Sequence, residues 1–446
     1  MDSSQLTRLS AIDVARAIRE GLFSSAELVE ACLARVREVD AQVQAWAFLD
    51  PEHALKQARD ADLWRGEGKP LGPLHGVPVG IKDIIDTGDM PTENGTVLHA
   101  GRMPVEDATL VSRLREAGAV IMGKTVTTEL ATYAPGKTRN PHNPEHTPGG
   151  SSSGSAAAVA SGMVPLAVGT QTNGSVIRPA AYCGVYGFKP TFGLIPRHGI
   201  LRQSRWLDQV GVFARSAEDL ALITEQLIAF DETDPDTRPL ARPRLSATAA
   251  EDPPLRPWLA FVKTPMWDRA EQETQEAFAE LTAHIGEQVE EVELPEKFKE
   301  ATHWHHTIME ADIAKSFHEE YERGAEKLSA SLRGQIERGR GVAAVDYNRA
   351  LEMIPALNRA LDELFAHRYD AILTPATTGT APRLESTGDP IFCTLWTLCG
   401  MPAVTLPLMQ GENGMPLGAQ LVGRRGDDAR LLRTARWLAA HVAATG

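Results

Sequence analysis

Val77-Pro-Val-Gly-Ile-Lys-Asp-Ile-Ile85, then Asp107-Ala-Thr-Leu-Val-Ser-Arg-Leu-Arg-Glu-Ala117, then Ala119-Val-Ile-Met-Gly123 decide the fold class. The first stretch is apolar and bounded by turn residues, so it reads as a strand running into a turn. The second sets Leu110, Val111 and Leu114 on one helical face, and Gly118 just beyond it marks a stop. The third reads as the next strand. Strand, helix and strand in succession predict an α/β fold, with a sheet covered on both faces.

Outward toward the N-terminus, helical spacing takes over. Ser10 precedes a helix that carries Val14, Ala15 and Ile18 and stops at Gly21. Ser25 precedes a second, with Leu28, Val29, Cys32, Leu33 and Val36 on its inner face. Residues 1–68 are thus expected to be N-terminal helices and 69–230 the core. A softer boundary falls at 231–257, where Pro, Asp and Arg cluster. Beyond it the pattern predicts a strand at 258–262, a helix over Gln272–Ile285 and a strand near 289–294. Residues 297–366 are mostly charged and helical, and are expected to form a lid or side layer. Strands return at 369–375, 403–408 and 418–422, and a helix around Trp437 closes the chain. Without an internal repeat or long charge block, residues 1–446 read as one large domain.

Of the 446 residues 43% are apolar, enough for a large core. The net charge of −14 argues against a direct role on DNA, which prefers clustered Lys and Arg. Cys32, Cys183, Cys393 and Cys399 form no C-x-x-C pair and read as buried thiols in a reducing compartment. The opening MDSSQLTRLS has no apolar signal core. The most apolar stretch, 156–168, is too short and too rich in Ser, Gly and Pro for a membrane span. The expectation is a cytoplasmic protein with neither nucleic acid nor membrane as partner.

Three segments hold the chemistry. Lys82 lies in Gly80-Ile81-Lys82-Asp83, inside the apolar strand. The plain alternative is a strand-end lysine whose ammonium reaches solvent. A buried lysine loses its charge readily and can then act as a base. The second segment, Pro148-Gly-Gly-Ser151-Ser152-Ser153-Gly154-Ser155, offers hydroxyls that can pass protons. It also matches G-x-S-x-G at 150–154, but a nucleophile elbow needs a strand before it, and 139–148 is too rich in Pro and Asn. The third is Gly169-Thr-Gln-Thr-Asn-Gly-Ser175-Val-Ile-Arg178. A serine after Thr-Asn-Gly sits in a tight turn, whose successive N–H groups can converge on an oxyanion. A structural turn serine is the alternative at Ser175.

These segments together resemble the amidase signature family, strongly over residues 72–191 and in general layout elsewhere. The resemblance implies a mixed sheet sandwiched between helices and a Ser-cisSer-Lys triad. By motif, the triad falls on Ser175 as nucleophile, Ser151 in a cis peptide and Lys82. It implies an oxyanion hole of backbone N–H groups at Thr172, Asn173, Gly174 and Ser175. The 24-residue spacing from Ser151 to Ser175 fits the family. Gln171 stands where the family usually has Asp, and Asn173 where it has Gly. Asn tolerates positive φ, so the turn can survive. An Asp at 171 would be placed to neutralise a nearby arginine, and Gln is not. Gln171, Val176-Ile-Arg178, Lys82-Asp-Ile-Ile-Asp86 and Ser386-Thr-Gly-Asp-Pro390 are similar to the malonamidase branch, with carboxybiuret-type hydrolases as near relatives. There the arginine three residues past the nucleophile binds a substrate carboxylate, a role that falls on Arg178.

The expected reaction is hydrolysis of a small carboxylated amide through an acyl-enzyme. No cofactor or metal is expected. The expected assembly is a homodimer, optionally joined by a small accessory protein. His303-Trp-His305-His306 lacks any familiar ligand spacing and reads as a polar helix face. Trp206, Trp396 and Thr397 are candidates to line the pocket, or simply packing. Two rivals remain: the amidase component of a tRNA-dependent amidotransferase, and an inactive scaffold, against which the intact Lys82, Ser151 and Ser175 argue.

Overall fold

In the computed structural model, which describes residues 3–445, the stretch from Val77 forms a strand over Pro78–Lys82 whose residues are all buried. That is the pattern of a strand covered on both faces. In chain order the strands are β1 Trp46–Phe48, β2 Pro78–Lys82, β3 Val120–Thr125, β4 Leu166–Gln171, β5 Tyr186–Lys189 and β6 Gln209–Ala214. They continue as β7 Leu259–Phe261, β8 Val289–Glu291, β9 Ala371–Pro375, β10 Ala403–Gln410 and β11 Pro416–Val422. All belong to one 11-stranded sheet, in the order β1-β3-β2-β4-β6-β5-β10-β11-β9-β7-β8. The sheet is mixed. β2 runs parallel to β3 and β4, and β7 parallel to β8 and β9, while β4–β6–β5–β10–β11–β9 are antiparallel.

Alternation along single strands shows that helices cover both faces, because successive side chains point to opposite sides. Leu259, Phe261, Ala371 and Leu373 join the core that includes Leu28, Val29, Leu220 and Leu432. Their neighbours Ala260, Val262 and Ile372 join a second core with Ile308, Ile313, Leu332 and Leu357. The second core is built by helices Ala301–Ser316, Ala330–Arg340 and Ala344–His367 of the charged region 297–366, and by Ile391–Leu398.

The N-terminal helix runs over Ala11–Glu20, with Ser10 accepting from the Asp13 N–H and Gly21 at φ +74° ending it. The next helix differs from expectation at its start. Ser24, not Ser25, is the cap, in a reciprocal capping box with Glu27. Ser25 is already helical and buried, and donates to the Gly76 carbonyl at 2.9 Å. The apolar stretch 156–168 divides between helix Ser153–Ala160 and β4 at a turn through Gly162, φ +71°. The soft boundary at 231–257 does not divide the sheet, since β5 before it pairs with β10 after it. Short β1 and the strands β4, β5 and β6 escaped the periodicity reading; β4 and β6 are buried throughout and show no alternation. No helix among the described residues is long and apolar enough to cross a membrane.

Val79 lies opposite Leu166 and Ile81 opposite Val168, so Lys82 and the Thr170–Gln171 end of β4 emerge at the same sheet edge. Ligands in open α/β sheets bind outside the carboxyl ends of such strands.

Candidate active site

Lys82 is fully buried at the end of β2. Its Nζ lies 2.7 Å from Ser151 Oγ and 2.9 Å from Thr170 Oγ1, with no carboxylate in contact among the described residues. Desolvation holds its pKa well below the ordinary lysine value of 10.5, against an upward pull from the Asp208 carboxylate. The strand-end lysine reaching solvent is therefore ruled out.

The Gly150–Ser151 peptide is cis. Of the loop hydroxyls, Ser151 alone meets Lys82. Ser152 donates to the Thr170 carbonyl at 3.2 Å, Ser153 to the Gly149 carbonyl at 2.7 Å, and Ser155 to the Val168 carbonyl at 3.0 Å. Ser152 is completely buried and no strand precedes it, so 150–154 is not a nucleophile elbow. Gly150 is required by contact: a Cβ there would sit 2.9 Å from both Thr128 Cγ2 and Thr387 Cγ2.

Ser175 follows β4 and precedes helix Ile177–Cys183, with a side chain 8% exposed. Among the described residues its Oγ has no hydrogen-bond partner, so the structure joins Lys82 to Ser151 but leaves Ser175 free to turn. No protein acceptor takes the N–H groups of Asn173, Gly174 and Ser175 among the described residues. Asn173 corrects the sequence reading, because it is not among the residues with positive φ. Its carboxamide is fixed instead, donating to Tyr133 OH at 2.9 Å and accepting from Thr394 Oγ1 at 2.7 Å. Gly174 is needed for close approach: a Cβ would meet Pro390 Cβ at 2.9 Å.

Gln171 also acts differently from expectation. Its Oε1 accepts from the N–H groups of Val176 and Ile177, at 2.8 and 3.0 Å, and its Nε2 donates to Thr397 Oγ1 at 2.9 Å. None of these bonds reaches Arg178, so Gln171 organises the turn.

Arg178 is 1% exposed. Nη2 donates to the Gly150 carbonyl at 2.7 Å and to Thr387 Oγ1 at 3.4 Å, while Nε and Nη1 are buried without a partner. The nearby Tyr133, Tyr182 and Cys393 cannot neutralise it, because burial raises the pKa of each. Asp389 pairs with Arg269 at 2.7 Å.

Several site residues were missed by the sequence reading. Asp208, directly before β6, accepts from Thr172 Oγ1 at 2.7 Å and from the N–H groups of Gln203 and Ser204, at 2.8 and 3.0 Å. Burial lifts its pKa to about 6. It lines a small pocket with Thr170, Thr172 and Arg197. His305 is not on a polar face: it is completely buried, with Nε2 2.9 Å from the Thr172 carbonyl. No group of three or more His, Cys, Asp or Glu among the described residues is arranged to hold a metal ion. Trp396 and Thr397 are buried on helix Ile391–Leu398, whereas Trp206 lies at the surface under the Arg205 guanidinium. Only Asp208 had a visible signal, an acid set directly before an apolar strand.

Known proteins are similar to this chain over nearly its whole length. A family model described as Amidase matches residues 27–432. The chain is 35% identical over 457 residues to a Glutamyl-tRNA(Gln) amidotransferase subunit of Chloroflexus aggregans, covering 94% of this chain and 93% of that protein. Among solved structures it is similar to the peptide amidase of Stenotrophomonas maltophilia, with TM-score 0.84, 30% identity, and coverage of 98% of this chain and 97% of that one. A chain solved in a vestigial protein complex bearing on the origins of an s-triazine catabolic enzyme gives TM-score 0.91 at 26% identity, covering 96% and 98%.

Proposed function

Because this chain belongs to the amidase signature family, we propose that it hydrolyses the C–N bond of a small carboxylate-bearing amide through an acyl-enzyme on Ser175. The observation that carries the substrate class is Arg178, whose Nε and Nη1 are buried and unpaired three residues past the nucleophile. A buried cation without an acceptor is costly, and a substrate carboxylate can take one of these free N–H groups in a charge-assisted hydrogen bond.

In this reading Ser175 Oγ attacks the substrate carbonyl and gives its proton to Ser151 Oγ. The Ser151 proton passes over the 2.7 Å contact to Lys82 Nζ, whose pKa desolvation holds well below the ordinary lysine value, which favours the neutral amine the relay needs. The free N–H groups of Asn173, Gly174 and Ser175 receive the oxyanion. The relay then protonates the leaving ammonia or amine as the C–N bond breaks. Water enters and attacks the acyl carbon, giving a proton to the same relay, which returns it to Ser175 Oγ as the ester bond breaks and the acid leaves.

A second reading, the glutamine-hydrolysing component of an amidotransferase, is favoured by the name of the Chloroflexus relative. One experiment separates them. The chain purified alone is given small amides with and without a free carboxylate, and glutamine. Preference for the carboxylated amides by about ten-fold or more supports the proposal. Equal turnover of neutral amides defeats it. Weak activity alone that rises on glutamine with co-purifying proteins supports the second reading.

A further inference from the structure

The N–H groups that would receive the oxyanion belong to peptides whose carbonyls are held from behind. The Thr172 carbonyl shares its peptide with the Asn173 N–H, and it takes His305 Nε2 at 2.9 Å. The Asn173 carbonyl shares its peptide with the Gly174 N–H, and it takes Thr397 Oγ1 at 2.5 Å. A trans peptide is planar, with C=O and N–H directed oppositely. A donor fixed on the carbonyl therefore orients the N–H on the far side. It also polarises the amide, so that the N–H becomes the better donor.

We infer that His305 and Thr397 are positioning residues that pre-set the Asn173 and Gly174 N–H groups for the oxyanion. The inference rests on the amidase reading above. The chemistry of each clamp is one-directional. A carbonyl only accepts, so His305 Nε2 carries the proton. Burial, with His306 beside it, holds the His305 pKa at about 3, so the ring stays neutral. Its Nδ1 has no partner, which leaves Thr172 as the ring's polar contact. Thr397 has one hydroxyl proton. Its oxygen accepts from Gln171 Nε2 at 2.9 Å, which leaves that proton for the Asn173 carbonyl. A carboxylate at 171 has no proton to donate, so this arrangement depends on glutamine. The two clamps come from different helices, Ala301–Ser316 and Ile391–Leu398, so the region 297–366 reaches the reacting turn.

The test compares Thr397→Val, Thr397→Ser, His305→Leu and His305→Gln, each checked for folding by thermal melting. Kinetics use the best carboxylated amide. Binding uses a small boronic acid, which forms a tetrahedral adduct on Ser175, and the planar product acid. Thr397→Val and His305→Leu are expected to lose about ten- to a hundred-fold in kcat with KM nearly unchanged, less than the loss of an oxyanion donor itself. Boronate affinity should fall by the same factor and product affinity should hold. Thr397→Ser and His305→Gln, which keep a donor, should recover most of the loss. Unchanged kcat and boronate affinity in Thr397→Val and His305→Leu overturn the inference. So does a parallel loss of boronate and product affinity without recovery by Ser or Gln, since that marks a merely structural role. An inert wild type would overturn the amidase reading instead, and boronate affinity, which needs no turnover, would still judge the clamps.

Discussion

Lys82 Nζ stands 2.7 Å from Ser151 Oγ although 69 residues separate them along the chain. The parallel pairing of β2 with β4 sets Lys82 beside Thr170, and Ser152 is tied to the Thr170 carbonyl, which draws the serine loop over the lysine.

Lys82 should act as a base, and its pH behaviour follows from burial. Its folded pKa lies below 10.5, so the neutral amine grows as pH rises through that lowered value. kcat/KM should fall on the acid side and level off above it. Lys82→Arg keeps a charge that cannot be lost at ordinary pH, and should lose roughly 10⁴-fold in kcat while remaining folded. A pH–rate series and a melting curve check this; near-normal turnover in Lys82→Arg removes the base role.

Asp208 stabilises the protonated lysine through space. Asp208→Asn keeps an oxygen to accept from Gln203 and Ser204 but removes the charge. Lys82 should then give up its proton more easily, and the acid limb of the kcat/KM profile should move to lower pH. A limb that stays in place, or moves upward, contradicts the coupling.

Ser175→Ala should remain folded and lose roughly 10⁴-fold or more in turnover. A fluorophosphonate followed by peptide mapping should label Ser175. Label on Ser152, which is buried and bonded to Thr170, would return the assignment to the elbow serine.

Arg178→Ala separates recognition from structure. The contact with a substrate carboxylate is worth about 1.5–3 kcal/mol, so kcat/KM for carboxylated amides should drop at least about ten-fold. Neutral amides should be hydrolysed as before. Because Nη2 also holds the Gly150 carbonyl, a melting curve is needed beside the kinetics. Loss for both substrate types, or much earlier melting, makes Arg178 a structural pin.

The chain by itself determined the α/β class, the helix over Gln272–Ile285 and the residue types of the three reacting segments. These are local properties: a hydrophobic period, a stop signal, or a motif whose spacing is written in one dimension. Burial of Lys82 was left open, because a lysine at the end of an apolar strand can equally send its ammonium to solvent, and only the fold closes over it. The periodicity reading missed β4 and β6, which show no alternation, and β4 runs directly into the Gly-, Thr- and Asn-rich segment from Gly169. It also failed wherever a residue's role depends on what crosses it. Asn173 looked like a conformational substitute for glycine but is held by Tyr133 and Thr394, 40 and 221 residues away. Gln171 looked like a missing charge but bonds Thr397, 226 residues on. His305 looked like a surface residue until its helix packed against the turn. Hydrogen bonds between distant segments exist only after the sheet has fixed their approach, so tertiary structure alone decided which donors face the Thr172 and Asn173 carbonyls and which nitrogens of Arg178 were left unpaired.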